Sequence, residues 1–338
     1  MKKAVTLQDI ANKLNLSKVS ISKALRDHPD ISAVTKQLVQ NTAQSMGYMP
    51  NIIARNLSSK KSDTIGLVVP KIAHHFFASA IEAIYQTAYK NNYEIIMTVS
   101  QEDAEHEARH IQTLLSMHVD GLIVSVTEQT TDKSVFEIVR RRGTPLVFFD
   151  RVIENIGFST VTNDDEKGTY QAIKKIIDTG YTKLAHLAGY CHTNIGYNRR
   201  KGFESAVKDC KLKVPTEWII EGGFGEEDGY NGFMNLYQRK TLPEVIFAVT
   251  YPVALGIQLA AQEVGVKIPD QLEIISFGGS IYNRFSSPAI TYISQPIHEL
   301  GAKAIELIIE EIKNPDAAVE QHETLPTELI FCETCKKR

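Results

Sequence analysis

The sequence predicts an α/β protein with a small all-α head and a larger body of two doubly wound subdomains. Helical periodicity with capping residues fills residues 6–47, whereas short apolar runs alternate with helical stretches from Thr64 onward. The net charge of the chain also changes sign between the head and the body. Eight Lys and two Arg against three Asp give residues 1–61 a charge of +7, which leaves −10 on residues 62–338. A basic head on an acidic body indicates a polyanion as the partner of the head alone.

Three short helices are predicted in the head, and each begins at a capping residue. The first begins at Thr6, which has the spacing of a capping box with Asp9. Its apolar stripe consists of Leu7, Ile10, Ala11 and Leu14. Ser17 caps the second helix, whose inward face carries Ile21, Ala24 and Leu25. The third is expected from Ser32 to about Gly47, with a buried face of Val34, Leu38, Ala43 and Met46.

Two short helices joined by a tight turn and braced by a third form a helix-turn-helix, whose second helix enters the DNA major groove. Its outer face carries Lys18, Val19, Ser22 and Lys23. Lysine can donate to guanine O6 and N7, and valine can pack against a thymine methyl. Lys18, Val19 and Lys23 are therefore the candidate base readers, and Ser17 and Ser20 are candidates for phosphate contacts. The alternative is a three-helix bundle with a solvated lysine face.

Strands and helices alternate along the body, which predicts βαβ units and mainly parallel sheets. The first series of strand-like runs occupies residues 64–69, 94–99, 121–125 and 146–149. A second series follows at residues 184–187, 245–249 and 272–277. Two doubly wound subdomains with a cleft between them are expected, and a ligand would bind beyond the carboxyl ends of their strands.

Three stretches of the head resemble the lactose-repressor/galactose-repressor (LacI/GalR) family, and the match continues through nearly all of the chain. They are Thr6-Leu7-Gln8-Asp9-Ile10-Ala11, residues 16–23, and Gly47-Tyr48-Met49-Pro50-Asn51 through Ala54-Arg55. The resemblance implies a transcription regulator, in most relatives a repressor, that binds a pseudo-palindromic operator as a homodimer. It also implies a periplasmic-binding-protein-like sensor body controlled by a small-molecule effector. No enzyme activity, cofactor or metal is expected.

The resemblance also implies the domain organisation. A helix-turn-helix domain spans residues 1–48, and a hinge helix with its linker spans 49–63. The N-terminal sensor subdomain takes residues 64–161 and 293–322, and the C-terminal one takes 162–292 and 323–338. Residues 51–57 make about two helical turns, which are marginal in water without a partner.

The hinge is the second implied DNA contact. In the family, two such segments fold side by side in the minor groove, and Leu57 matches the wedge that opens a base step. Asn51 and Arg55 are expected to add DNA contacts beside it, and Thr6 is the remaining candidate from the head. The alternative is an ordinary polar linker, which the composition of residues 58–62 favours.

Candidate effector-binding residues follow from the same resemblance. Phe76 and Phe77 follow the first strand of the body, where the family places an aromatic residue against the effector. Arg199 matches the family's effector-binding arginine. The remaining candidates are Ser125, Asp150, Arg151, Phe224, Tyr251 and Gly278.

Two departures from the family pattern bear on the effector. The chain has Thr250-Tyr251-Pro252 and Phe277-Gly278-Gly279 at places where the family usually supplies a carboxylate that grips sugar hydroxyls. Arg199 is therefore expected to lack an acidic partner, and an unpaired guanidinium suits a carboxylate or phosphate. This predicts an anionic effector such as a sugar acid or sugar phosphate, or else an unusual ligand stacked on Tyr251. The alternative is a cleft that has lost sugar sensing.

Two other motifs could carry different chemistry. His106-Glu107-Ala108-Arg109-His110 matches the HExxH pattern of zinc hydrolases, so a metal-dependent hydrolase is the competing function. Its charged surroundings and expected helix position favour an exposed, non-catalytic helix. Cys332 and Cys335 form a lone CxxC that is expected to lie in an exposed tail with incidental thiols.

Membrane association is not expected. The chain has no apolar run of 18 residues, and its start lacks the apolar stretch of a signal peptide. The sequence therefore predicts a soluble, cytoplasmic protein.

Overall fold

The computed structural model describes residues 5–49, 61–240, 242–315 and 319–335. The chain divides into two compact units, Met1–Ser62 and Asp63–Arg338, here called the head and the body. Within the described ranges, no helix is long and apolar enough to cross a membrane.

The head contains three helices, α1 (Leu7–Leu14), α2 (Lys18–Leu25) and α3 (Ala33–Ser45). Their N-caps are the predicted residues, Thr6, Ser17 and Ser32, whose side chains each accept a hydrogen bond from a backbone N–H in the first turn. Thr6 and Asp9 form the reciprocal capping box. The core of the head is formed by Ile10, Ala11, Ile21, Ala24, Val39 and Ala43.

The predicted inward face of α3 is wrong in its first half. Val34 and Leu38 are 80% and 50% exposed, whereas Val39 is fully buried. Val39, Thr42, Ala43 and Met46 follow the i, i+3, i+4, i+7 spacing of one helix face, and Val34 and Leu38 lie to one side of it.

The first sheet of the body is parallel throughout and has the strand order β11-β5-β4-β3-β1-β2. Its strands are β1 (Thr64–Val69), β2 (Glu94–Val99), β3 (Gly121–Val124), β4 (Leu146–Phe149), β5 (Ser159–Asn163) and β11 (His322–Leu325). Helices α4 (His75–Lys90), α5 (Ala104–Ser116), α6 (Ser134–Arg142) and α11 (Ile297–Lys313) contribute apolar residues to its two core clusters. These elements form the N-lobe.

The second sheet has the order β12-β10-β9-β8-β6-β7 and is parallel except for β12. Its strands are β6 (Leu184–Ala188), β7 (Ile219–Glu221), β8 (Val245–Ala248), β9 (Glu273–Phe277), β10 (Thr291–Ser294) and β12 (Glu328–Ile330). Its helices are α7 (Asp165–Asp178), α8 (Asn194–Asp209), α9 (Glu226–Gln238) and α10 (Tyr251–Glu263), with 3-10 turns at Thr216–Trp218 and Ile281–Phe285. These elements form the C-lobe.

Three chain crossovers connect the lobes, slightly later than the boundaries proposed at residues 161, 292 and 322. Strand β5 of the N-lobe continues to Asn163, β10 of the C-lobe to Ser294, and β11 of the N-lobe to Leu325. The cause is continued backbone pairing. Asn163 still pairs with Leu325, and Ser294 with Glu328, so these strands continue past the positions that the family resemblance implied.

The segment with the CxxC motif is not an exposed tail. Cys335 and Thr334 are 1% and 0% exposed. The Thr334 hydroxyl donates to the carbonyl oxygen of Ile274 at 2.7 Å and accepts from the N–H of Thr291 at 2.7 Å. No local sequence pattern predicts this packing, because these partners of Thr334 lie more than 40 positions upstream. Within the described part of the chain, the four cysteines form no disulfide.

Replacing Thr334 by valine tests how far this segment stabilises the C-lobe. Valine keeps the shape but leaves two buried backbone groups without a partner, which costs about 2 kcal/mol of unfolding free energy. Urea denaturation measures the change, and Thr113→Val, at an exposed position on α5, is the control with an expected effect under about 0.5 kcal/mol. Equal stability of the two variants would contradict the structural role of Thr334.

Candidate functional site

The head presents the outer face of α2 to solvent. Val19 is 65% exposed, and Lys18 beside it is also exposed. Lys18 and Val19 therefore remain available for contact with a DNA groove, whereas the half-buried Ser22 hydroxyl already accepts a hydrogen bond from Arg26 Nη2 at 3.1 Å.

Other predicted DNA-binding residues of the head already have partners. Lys23 Nζ lies 2.7 Å from the Asp30 carboxylate, so a base contact requires this exposed ion pair to open. The Ser17 and Ser20 hydroxyls hydrogen bond each other at 2.8 Å, and Thr6 bonds Asp9. The predicted contacts Asn51, Arg55 and Leu57 lie outside the described residues.

A cavity of about 370 Å³ lies between the lobes at the carboxyl ends of their strands. Eight of the nine predicted effector-binding residues line it. These are Phe76, Phe77, Asp150, Arg151, Arg199, Phe224, Tyr251 and Gly278. The ninth, Ser125, is fully buried and does not belong to the lining of this cavity.

Further cavity residues were missed by sequence reasoning. They are chiefly His74, His75, Glu226, Tyr282 and Gln295. The first two directly precede Phe76, so their position could have suggested them. Tyr282 and Gln295 come from a 3-10 turn and a crossover, and no spacing in the sequence brings such segments to the cavity.

Gly278 lines the cavity with its backbone in the left-handed region that favours glycine. Its φ is +77°, and an added Cβ would lie 2.5 Å from Gln295 Oε1. The backbone at the end of β9 therefore approaches the cavity directly.

Arg151 is buried and paired within the N-lobe. Its Nη1 lies 2.9 Å from both carboxylate oxygens of Glu102, and its guanidinium stacks on the rings of Phe77 and Phe224. The Nε atom is buried with no hydrogen-bond partner within the described chain. A ligand or water that accepts from this N–H would remove an unsatisfied donor.

Arg199 is also buried and paired, in contrast to the expectation that it lacks a partner. Its Nε donates to Asp165 Oδ1 at 2.8 Å, and Nη1 donates to the Val249 carbonyl oxygen at 2.8 Å. The guanidinium lies 3.8 Å from the centre of the Phe277 ring. The partner lies on α7, away from the two positions where family comparison looks for an acid.

Asp150 lies between these two arginines. It is 5% exposed and adopts a left-handed backbone with φ of 59°. Burial raises the pKa of its carboxyl to about 7, and the positive charges of Arg199 and Arg151 oppose this rise. The cavity therefore contains an acid whose charge changes near neutral pH.

Comparisons with known proteins identify the family. The family described as "Periplasmic binding proteins and sugar binding domain of LacI family" matches residues 62–333. "Bacterial regulatory proteins, lacI family" matches residues 6–51. The chain belongs to the LacI family. It is a DNA-binding transcription regulator and not an enzyme.

Similar proteins span the whole LacI-family chain. Catabolite control protein A of Priestia megaterium is 28% identical over 335 residues, covering 98% of this chain and 99% of the relative. The HTH-type transcriptional repressor PurR of Pasteurella multocida (strain Pm70) is 29% identical over 336 residues, with the same coverage. The lac repressor dimer bound to operator and the anti-inducer ONPF shares the fold with a TM-score of 0.86 at 21% identity, covering 98% and 99% of the two chains.

The HExxH motif has a structural role in this LacI-family regulator. Glu107 is 1% exposed and accepts hydrogen bonds from the Thr127 N–H and the Thr130 hydroxyl, each at 2.7 Å. Burial raises its pKa to about 7. The carboxylate therefore holds the 127–130 loop and points away from the exposed His106. Across the described ranges, no group of three or more metal-ligating side chains is placed to hold an ion.

The unfolding free energy of Asp150→Asn should rise relative to that of the wild-type protein as the pH increases. The folded carboxyl titrates near pH 7, against about 3.9 in an unfolded chain. Between these values the folded state binds more protons, so the wild-type protein loses stability as pH rises. Asparagine does not ionise and so has no such loss. The difference in unfolding free energy, variant minus wild type, should therefore be about 2 kcal/mol larger at pH 8 than at pH 5.

Urea denaturation at several pH values measures this difference. Glu105→Gln, which removes an exposed carboxylate, controls for the general loss of one negative charge. A difference between Asp150→Asn and wild type that stays constant from pH 5 to 8 would mean that Asp150 is ionised throughout.

Proposed function

We propose that this regulator is a cytoplasmic repressor that binds a pseudo-palindromic operator as a homodimer. The exposed Lys18–Val19 face of α2 carries the proposal, because it presents a donor and an apolar group at the helix end that enters a major groove. The names of similar proteins support the repressor role and the dimer: one is a repressor, and another is a dimer bound to operator. One head per half-site follows from twofold symmetry.

The hinge remains the second proposed DNA contact, on sequence grounds alone. Residues 51–57 are too short to be a stable helix in isolation. Folding against the minor groove, with Leu57 as a wedge and Asn51 and Arg55 beside it, would couple DNA binding to helix formation.

We further propose that the cavity between the lobes binds a neutral, hydroxylated ring compound such as a sugar. Its aromatic walls suit stacking on a ring, and Asp150, Glu226 and Gln295 supply polar groups. Arg151 and Arg199 each have a carboxylate within 2.9 Å, so neither leaves an uncompensated positive charge. The sequence predicts an anionic effector because Arg199 is expected to lack an acidic partner. The ion pair of Arg199 with Asp165 removes the reason for that expectation.

Substitutions on α2 test the DNA-binding proposal. The operator is first obtained by selecting genomic fragments that the protein retains. Lys18→Ala and Val19→Ala should each weaken operator binding by about 1–3 kcal/mol, because a base contact is lost, and weaken binding to random DNA much less. Lys13→Ala removes an exposed charge of α1 and serves as the matched control.

Fluorescence anisotropy at fixed salt measures both affinities. Equal losses on operator and random DNA for Lys18→Ala and Val19→Ala would show that α2 does not read bases.

Calorimetry with a panel of neutral sugars and sugar phosphates tests the effector proposal. A neutral member should bind, and Arg199→Ala should weaken it by about tenfold or more, because the variant leaves Asp165 buried without its partner and deforms the cavity floor. Tighter binding of the phosphorylated member of a matched pair would instead favour the anionic effector. A panel without any binder would favour a cleft that has lost sugar sensing.

A further inference from the structure

One loop of the C-lobe reaches across the cleft to the N-lobe. It comprises residues 189–193, which connect β6 to α8, together with Asn194, the first residue of α8. Its contacts in the N-lobe are Glu128, which follows β3, and the segment Asp150–Val152, which follows β4. Three hydrogen bonds from this one loop therefore join the lobes away from their chain crossovers.

Asn194 makes two of these bonds. Its Nδ2 donates to the carbonyl oxygen of Asp150 at 2.9 Å, and its Oδ1 accepts from the N–H of Val152 at 3.1 Å. A single side-chain amide thus holds the two backbone groups on either side of Arg151. Only one orientation of the amide satisfies an acceptor and a donor together, so the contact fixes the segment as well as the side chain.

The segment that Asn194 holds needs support. Asp150 adopts a left-handed backbone at φ of 59°, which is unfavourable for a residue with a side chain. This turn places Asp150 and Arg151 on the wall of the cavity. The contact with Asn194 therefore stabilises the conformation that presents both side chains to a ligand.

His192 makes the third bond, from Nε2 to the carbonyl oxygen of Glu128, and its ring stacks on Tyr190. The N–H of Glu128 in turn donates to Glu102 Oε2 at 3.0 Å. Glu102 is the carboxylate that also binds Arg151. The two places where the loop contacts the N-lobe are therefore connected to each other through one buried carboxylate.

We infer that residues 192–194 form a clamp across the cleft, with Asn194 as the positioning residue that sets Asp150 and Arg151 in the cavity. The inference rests on the proposed function only for the cavity's role as a ligand site. The His192 contact is made to Glu128, and the Asn194 contact is made to the two residues beside Arg151. Because Glu102 binds both Glu128 and Arg151, loss of either contact loosens the other. The clamp thereby stabilises one arrangement of the two lobes, which is the condition for a ligand between them to shift that arrangement.

Hydrogen–deuterium exchange on the full-length protein tests the clamp without DNA or ligand. Asn194→Ala should speed exchange about tenfold at Val152, whose N–H loses its acceptor. It should also speed exchange in residues 126–131, with which Asn194 shares no hydrogen bond among those described. His192→Ala should in turn speed exchange at Val152. A local role would affect only the direct partner of each side chain.

Two further variants keep the result interpretable. Asn194→Asp has the same shape and suits the first turn of a helix; it can still accept from the Val152 N–H but cannot donate to the Asp150 carbonyl. If the fold is intact, it should leave Val152 more protected than Asn194→Ala does, and it should still speed exchange in residues 126–131. Asn198→Ala removes the same side chain one turn later on α8 and should leave both segments within about twofold of wild type. Thermal unfolding confirms that each variant is folded.

Unchanged exchange in residues 126–131 in both Asn194 variants would overturn the clamp. That result would leave operator binding untouched, whereas failure to retain any operator would overturn the proposed function and leave the clamp standing.

Discussion

Two buried guanidinium–carboxylate pairs, one in each lobe, are the constraint on which the cavity depends. Arg151 with Glu102 belongs to the N-lobe, and Arg199 with Asp165 to the C-lobe. Burying such charges costs several kcal/mol per ion, and removing one partner typically costs about 3–5 kcal/mol. Each arginine also stacks on a phenylalanine. These pairs fix the loops at the carboxyl ends of both sheets.

The pairs also set the electrostatic character of the cavity. Because each arginine is neutralised within its own lobe, the ionisable group beside both of them is Asp150, whose carboxyl titrates near neutral pH. A ligand could hydrogen bond to Asp150 and to the unsatisfied Arg151 Nε, in a cavity whose lining also includes His74, His75 and Glu226. The lining comes from both lobes, so the binding free energy of a ligand would depend on how the lobes are arranged.

Much of this architecture could be predicted from sequence. The strand runs at residues 64–69 and 146–149 have the predicted bounds because they are buried, nearly continuous apolar runs. The run at 94–99 also has the predicted bounds, although this edge strand is only partly buried. The caps Thr6, Ser17 and Ser32 were also found, because capping depends on residues three positions apart.

What could not be predicted depends on distant contacts. The partner of Arg199 lies 34 positions upstream on another helix, so an analysis of local motifs finds the arginine and misses Asp165. The same holds for Thr334, whose carbonyl acceptor lies 60 positions away, and for Glu107, which looked like a catalytic base but supports a loop. Asn194 belongs to no recognisable sequence motif. Its role follows from two backbone groups that the fold brings to it.

Thermodynamic linkage between operator and ligand tests the central claim, that the cavity controls DNA binding, most directly. The affinity of the bound sugar is measured by calorimetry with the free protein and with the protein–operator complex. The operator affinity is then measured with and without saturating sugar. The account predicts that the two ratios are equal and differ from one by at least about fivefold. Ratios of one, with the sugar still bound, would contradict it.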